Sequence, residues 1–428
     1  LSVNVKDDST DVNNKVFLLG YSTNMFVSED NIYLTYQKRV SERYFFDRII
    51  DEVILPSAPG TVVNEINEIR NSNKSENRKF GEIQLVMQEW IENIGPEEAA
   101  RLQQQLQENY MKIQEDIAKE TEKSVIHKIS VNNGNIDYKT KGEVPGQPLN
   151  QFSMDEHNGY FRIATTTSGF GAFGGPVIQT GVAVLAQAEQ QTLTQTTEQV
   201  PQTENQQTTE TQPSQPIIEP STTVIAEPPP VPRQSGPLNH IYVLDENMNI
   251  VGKLEDLARG ERIFSARFIG DRAYLVTFVR IDPLFVIDLS NPTNPRVLGE
   301  LKIPGVSDYL HPYDENHIIG IGRSSDDTRG FVTFGGIKLA LFDVSDVANP
   351  REIAKYEIGD RGTDSEALRD HKAFLFSKER NLLVLPVLVY EAKSGEFYGQ
   401  PAFQGAYVFK LTLEDGFELK GKVTHADN

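Results

Sequence analysis

The 428 residues contain no cysteine. That absence excludes disulfide cross-links, thiolate-held zinc and thiol catalysis, although it fits a prokaryotic envelope as well as a cytosol. Basic charge is the second shortage. Against 61 Asp and Glu stand 41 Lys and Arg, a formal net charge of −20 at pH 7 with a pI of about 4.9. A chain this acidic cannot neutralise a phosphate backbone, so nucleic acid is not an expected partner; the excess acts first on solubility. Long apolar runs are also missing. VIQTGVAVLA from Val177 is too short to cross a bilayer and is broken by polar residues. A membrane is therefore expected to be reached only through a segment outside this sequence. No signal-peptide pattern precedes the strand-like residues after Leu1, and HADN ends the chain where a further strand pair is expected. The sequence reads as a fragment cut at both ends.

What is present is repetition. From Pro283 to Gly322 runs one sheet-forming unit, PLFVIDLSNPTNPRVLGELKIPGVSDYLHPYDENHIIGIG. LFVIDL is β-branched and apolar, NPTNP is turn chemistry, and RVLGELKI alternates apolar and polar residues. Four further copies begin at Val125, Ile241, Leu339 and Ala406, each a strand, a polar turn, a second strand and a Gly or Pro-Gly break. NQFSMDEHNGYFRIATT, FSARFIGDRAYLVTF and DHKAFLFSKERNLLVLPV repeat the segments between them. The step from Ile241 to Leu284 falls in the range of roughly 40 to 45 residues of a propeller blade. A four-stranded unit cannot cover both its own faces and must stack on neighbours. The pattern predicts an all-β protein, a β-propeller of four-stranded antiparallel blades with about five complete blades, part of a larger ring. The competing reading is a β-sandwich of similar meanders.

Composition divides the chain into a propeller start at 1–39, a helical insertion within a blade at 40–123, propeller at 124–168, a low-complexity disordered insertion at 169–236, and propeller again at 237–428. In the first insertion, YFFDRIIDEVI and GEIQLVMQEWIENI carry apolar residues at helical spacing. Gly95-Pro96-Glu97-Glu98 opens a longer helix, with proline in the first turn and two acids at the positive end of the dipole. Leu102, Leu106, Met111, Ile113 and Ile117 form its apolar stripe, expected to dock on the propeller, and Trp90 reads as a core anchor. The second insertion is rich in Gln, Thr, Glu and Pro and has little to bury.

VFLLGYSTNMFVSEDNIYLTY, NQFSMDEHNGYFRIATT, FVIDLSNPTNPRVLGELKIPG, SDYLHPYDENHIIGIG and DHKAFLF closely resemble the secreted prokaryotic, largely archaeal, β-propeller-domain proteins, distant relatives of WD-repeat propellers. The resemblance covers nearly everything outside the Gln/Thr tract. It implies an extracellular or cell-surface protein, and no particular reaction.

In propellers of this kind VSDYLHPY-type segments are innermost and RVLGELK-type segments outermost. Both insertions then leave between second and third strands, from one face, joined there by Arg323–Gly336, Val389–Gln404 and the break loops ARGER, IPGVSD and GDRGTDSE. Loops on a rigid scaffold are where binding sites are built. The candidate binding residues are Arg323, Asp326, Asp327, Arg329, Arg361 and Asp364, with Arg259, Asp360 and Glu366 nearby. His311 beside Asp308, and His371 beside Asp370, are expected on inner strands lining the channel. Their spacing matches no metal motif, and Ser365, Asp370 and His371 make only a weak nucleophile system. No metal or cofactor is expected. Gly169-Phe170-Gly171-Ala172-Phe173-Gly174 matches GxGxxG but lacks the following helix that dinucleotide binding requires. DENMN at Asp245 has Ile250 where a calcium loop needs Gly, and reads as a hairpin turn. Asn73-Lys74-Ser75 is a lone sequon. The resulting expectation is a non-catalytic scaffold for a protein or glycan partner, acting through the loop-rich face. The alternative is an extracytoplasmic enzyme with a polar active site in the central funnel, using His311, His371 and Asp370.

Overall fold

Each alternating run becomes a strand, and each Asx-rich or Pro-rich stretch becomes the turn that returns it. In the computed structural model, which describes residues 15–17, 24–38, 42–132, 134–168, 236–278, 282–303, 305–326, 333–393 and 399–425, twenty strands form five antiparallel sheets. The first blade is β1 (Asn24–Val27), β2 (Asn31–Lys38), β3 (Lys123–Asn132) and β4 (Asn135–Pro145). The second is β5 (Met154–His157), β6 (Tyr160–Thr167), β7 (Leu238–Leu244) and β8 (Ile250–Leu257). The third is β9 (Arg262–Ile269), β10 (Arg272–Phe278), β11 (Asp282–Asp288) and β12 (Arg296–Ile303). The fourth is β13 (Val306–Asp314), β14 (His317–Asp326), β15 (Thr333–Asp343) and β16 (Arg351–Ile358). The fifth is β17 (Leu375–Ser377), β18 (Leu382–Glu391), β19 (Gln400–Thr412) and β20 (Gly416–Val423). In every sheet the strands lie side by side in chain order, the meander of a propeller blade. Most of the chain before β1, the beginning of the propeller start expected at 1–39, lies outside the described residues.

Turn chemistry is visible in the Asx caps. The Asp245 carboxylate accepts from the backbone N–H groups of Asn247 (2.9 Å) and Asn249 (2.8 Å), so the DENMN stretch is a hairpin turn, and Met248 adopts φ +65° in it. Asp343 caps the next repeat of the same turn, accepting from Ser345 N–H at 2.9 Å and from Arg351 Nη2 at 2.8 Å.

Consecutive blades pack face to face. Tyr33, Ile126 and Val144 of the first meet Phe161, Ile163 and Tyr242 of the second; Ile241 and Val243 meet Ala273, Leu275 and Ile287. Tyr274 and Val286 of the third meet Ile318, Ala340 and Phe342, and Ile319, Ile321 and Leu339 of the fourth meet Leu383, Leu385 and Phe409. Each large side chain fully buried this way stabilises by about 1.5–3 kcal/mol relative to exposure. A second interlock joins the fourth strands. In β8 and β12 a glycine follows directly after a bulged residue, Val251 or Leu298, and lies under the turn of the next blade. A methyl group at Gly252 would stand 2.0 Å from the Pro292 carbonyl, and one at Gly299 would stand 2.1 Å from that of Val347. Small residues at these positions are what let neighbouring blades approach.

The first strands of neighbouring blades approach each other. The Ser265 hydroxyl of β9 donates to the Ser307 carbonyl of β13 at 2.6 Å, joining the third and fourth blades there. Two blades depart from the expected continuous inner strand. Gln151–Ser153 and His371–Ala373 are single 3₁₀ turns, as is Glu366–Leu368, and the strands after them, β5 and β17, are short. His371 therefore sits on a turn and not on the strand its sequence suggests. The reason is local: Asn150, Ser365 and Asp370 side chains accept the N–H of Phe152 (2.9 Å), Ala367 (3.1 Å) and Lys372 (2.9 Å), offering the backbone an alternative to the ladder.

The described residues within 1–40, 116–169 and 236–428 form this strand unit; those within 41–115 belong to a separate helical one. There α1 (Glu42–Ile49) runs into a π turn and a 3₁₀ turn, followed by α2 (Gly60–Asn71), α3 (Glu76–Glu92) and α4 (Pro96–Thr121). Ile50, Ile66, Ile83 and Leu102 are buried, and Tyr110 joins the expected stripe of α4. Helix α2 was not foreseen, because its apolar residues are few and follow a Pro-Gly break. Trp90 is only half-buried, so the core anchors are the isoleucines and not the tryptophan. Residues 169–235, with the GxGxxG match and nearly all of the low-complexity tract, lie outside the described residues.

Candidate functional site

Antiparallel pairing sends the second-to-third connections and the blade-to-blade connections to one end of the strand unit. The stems of both insertions meet there: Ser168 donates its N–H (2.6 Å) and hydroxyl (2.5 Å) to the Glu122 carboxylate, tying the last residue before β3 to the residue after β6. Across the second insertion the chain resumes with Gly260 N–H donating to the Pro237 carbonyl at 2.8 Å.

Arg323 and Asp364, singled out from sequence, are in direct contact. Arg323 Nη2 donates to Asp364 Oδ1 at 2.9 Å and Nη1 to the Thr363 carbonyl at 3.3 Å. Arg369 grips the same carboxylate with both nitrogens, at 3.1 and 2.8 Å, and also reaches Glu366 at 3.3 Å. The fork of Arg369 on Asp364 is the strong bidentate form of a carboxylate pair. It holds Asp364 below the usual carboxylate range, with Arg323 adding to the effect. Asp308 behaves oppositely: burial pushes its carboxyl up to about 6 against the pull of Arg323. Its Oδ2 has no hydrogen-bond partner among the described residues.

The surrounding loops are latched. Asp360 N–H donates to the Tyr390 carbonyl at 2.7 Å, the Asp360 carboxylate accepts from Ala392 N–H at 2.8 Å, and Gly399 N–H donates to the Arg361 carbonyl at 3.2 Å. Thr363 bridges to Tyr390 in both directions, at 3.2 and 3.0 Å. Arg361 thus serves the latch through its backbone. Beside it opens a cleft of about 440 Å³, lined by Asp364, Ser365, Glu366, Arg369, Leu388 and Gln404 among others. Asp326 ends β14 with its side chain outside the described set, and Asp327 and Arg329 lie outside the described residues.

The funnel residues come together through aromatic packing. Tyr309 OH lies 3.0 Å from His311 Nδ1, and Phe374 and Phe376 flank the His311 ring at 5.1 and 5.5 Å. Burial, with Arg267 and His371 adding positive potential, pulls His311 down to about 4, which makes it a weak base. Phe152 meets His371 edge-on at 4.8 Å. Asp370 caps its own turn and stands 3.7 Å from His371 Nδ1. Ser365 donates to the Pro386 carbonyl at 2.5 Å and, among the described residues, makes no side-chain hydrogen bond to Asp370 or His371, so the three are not joined as nucleophile, base and acid. Among the described residues no three His, Asp or Glu side chains converge as a metal site.

Five meander sheets with interlocked neighbours are what the family comparison matches: the model of the beta propeller domain spans residues 1–428. The chain belongs to the beta propeller domain family. Similar proteins include an uncharacterized protein of Methanocaldococcus jannaschii, 32% identical over 411 residues, and one of Archaeoglobus fulgidus, 29% identical over 412. The alignments cover 96% of this propeller chain and 51% and 50% of those proteins, so the chain spans about half the length of the curated relatives it matches. Among solved structures, a putative 6-phosphogluconolactonase from Bacteroides uniformis aligns over 71% of this chain and 68% of its own, with 11% identity and a TM-score of 0.35.

Two residues central to the propeller's funnel escaped the sequence reading, Phe152 and Arg267. Phe152 was absorbed into a strand, and Arg267 stands between apolar residues like any outward-facing strand cation. The one available signal was its place in the innermost strand of its repeat.

Proposed function

We propose that this chain is a secreted or cell-surface propeller that acts as a non-catalytic interaction scaffold, engaging a protein or glycan through its loop-rich face. The observation that carries the reading is the latched charge cluster of Arg323, Asp364, Arg369 and Glu366 beside a cleft of about 440 Å³. Hydrogen-bonded loops on a stacked-sheet scaffold hold donors and acceptors in place before a partner arrives, which lowers the ordering cost of binding. The resemblance to secreted archaeal propellers supports the location. Acidic net charge keeps such a surface soluble.

The test is a capture from archaeal envelope extract, and a glycan array, comparing the wild-type chain with an Arg323→Ala, Arg369→Ala double variant of matched thermal stability. A protein or glycan held by the first and weakened about tenfold or more in the second is the expected outcome, the size for lost charge-assisted hydrogen bonds. Equal retention by both proteins counts against this face, and no specific ligand for either counts against the scaffold.

A further inference from the structure

First strands and 3₁₀ turns from three blades and one connection bring six side chains to one point of the funnel. Phe152 is at its middle. The Arg267 guanidinium lies 4.8 Å over its ring, the Tyr309 ring is 5.3 Å away, and His371 meets it at 4.8 Å. His311 accompanies Tyr309 through the 3.0 Å contact of its Nδ1 with the hydroxyl, and Phe374 closes the side at 5.1 Å from His311. Phe152, Arg267, His311 and His371 are each only partly buried, so solvent reaches the cluster.

Arg267 is unlike its neighbour Arg162. Both guanidinium groups lie over phenylalanine rings, Arg162 over Phe268 at 5.4 Å. Arg162 is fully answered: Nε donates to Asp155 at 2.9 Å and Nη1 to the Gly270 carbonyl at 2.7 Å. Arg267 has no hydrogen bond and no ion pair with any described residue, and the one carboxylate that acts on it, Asp155, is already bound by Arg162. Burial lowers the Arg267 pKa from its ordinary value, but a guanidinium does not give up its proton in a protein, so the charge stays. A guanidinium partly withdrawn from water, with a ring face in place of acceptors, is left short of hydrogen bonds that a counter-ion can supply.

The shape of the fork and its surroundings name that counter-ion. Two parallel N–H donors match a carboxylate bidentately, and the His311 ring beside Tyr309 is held neutral. The rings beside the guanidinium, Phe152 and Tyr309, suit an apolar or aryl remainder. We propose that the funnel binds a small organic monocarboxylate, its carboxylate on the Arg267 fork and its apolar body against Phe152, Tyr309 and Phe374. This site is separate from the Arg323 face and does not rest on the scaffold reading.

The experiment titrates the 428-residue chain with benzoate and with benzamide, its uncharged counterpart, by calorimetry and by NMR of the histidine ring protons. Benzoate is expected to bind in the millimolar range or tighter, about tenfold or more above benzamide, and to shift His311 and His371 resonances. Arg267→Gln should lower benzoate affinity about tenfold or more and leave benzamide unchanged, while Arg323→Ala changes neither. Arg267→Lys keeps the charge without the fork and should also weaken benzoate, which guards against a Gln variant that fails to fold. Equal binding of benzoate and benzamide, no benzoate binding in the millimolar range, or full affinity in a folded Arg267→Gln protein would overturn the site.

Discussion

Gly299 in the third blade and Gly421 in the fifth occupy the same place in their repeats, directly after a bulged residue of the fourth strand. Their surroundings differ. A methyl group at Gly299 would meet the Val347 carbonyl of the next blade at 2.1 Å, whereas one at Gly421 would find no described atom within 4 Å. The fourth blade has Ala354 there, packed against Gly416 of the fifth. The difference teaches what the small residue is for: it serves the approach of the following blade, not the pairing of its own sheet. The two faces of β18 repeat the contrast. Leu383, Leu385, Val387 and Val389 are buried against the fourth blade, while Leu382, Val384, Pro386 and Leu388 on the other face keep partial exposure.

Three tests can break or sharpen that comparison. The largest effect is expected on the covered face, where Leu385→Ala should lower unfolding free energy by about 2–5 kcal/mol in urea denaturation. Leu375→Ala, at a side chain 52% exposed in the same blade, should cost less than about 0.5 kcal/mol. Comparable losses at both would mean that the faces of the fifth blade are not distinct in solution. Next comes the glycine pair. Gly299→Val should destabilise by about 3 kcal/mol through overpacking, and Gly421→Val should stay within about 0.5 kcal/mol in the 428-residue chain. A large cost at Gly421 would show that its position is occupied after all.

The smallest effect concerns Asp308. Burial pushes its folded carboxyl up to about 6, above the ordinary value of 3.8, so the folded state holds the proton more tightly. Stability from this group is therefore greatest at low pH and declines as pH rises from about 4 to about 6. Asp308→Asn should remove that decline in a pH series of thermal melts. His311, with its folded pKa lowered to about 4, works in the opposite direction, losing stability as pH falls below its unfolded value of 6.5. The difference between wild type and variant isolates the carboxyl; a variant whose pH profile overlays the wild type would disprove the buried-acid assignment.

Much of the fold was legible because propeller strands are local statements. In LFVIDLSNPTNPRVLGELKI the alternation, the two prolines and the polar turn specify β11, its hairpin and β12 without outside help. The acidic turns at Asp245 and Asp343 likewise carry their own caps. Reading failed where a side chain competed with the ladder. NQFS and DHKA carry strand-like apolar residues, yet Asn150 and Asp370 bind backbone N–H groups two residues on and turn the chain. Of the site, Arg323 and Asp364 were identified as loop charges, but Arg369, which grips Asp364 from five residues further on, was not. Nothing in a string of residues distinguishes a cation that will find a carboxylate from one that will not.

The four-stranded unit and its hairpins follow from the repeat, since period-two alternation and turn residues act over a few positions. Which residues stand together in the funnel was decided by tertiary structure alone. Phe152, Arg267, Tyr309 and His371 are far apart in the chain and meet because stacking the blades gathers their first strands and turns. The β5–β6 hairpin sets Asp155 opposite Arg162 and spends its carboxylate there, and blade stacking brings Arg267 no other described carboxylate in its place. That outcome depends on distances between blades, which no local pattern encodes.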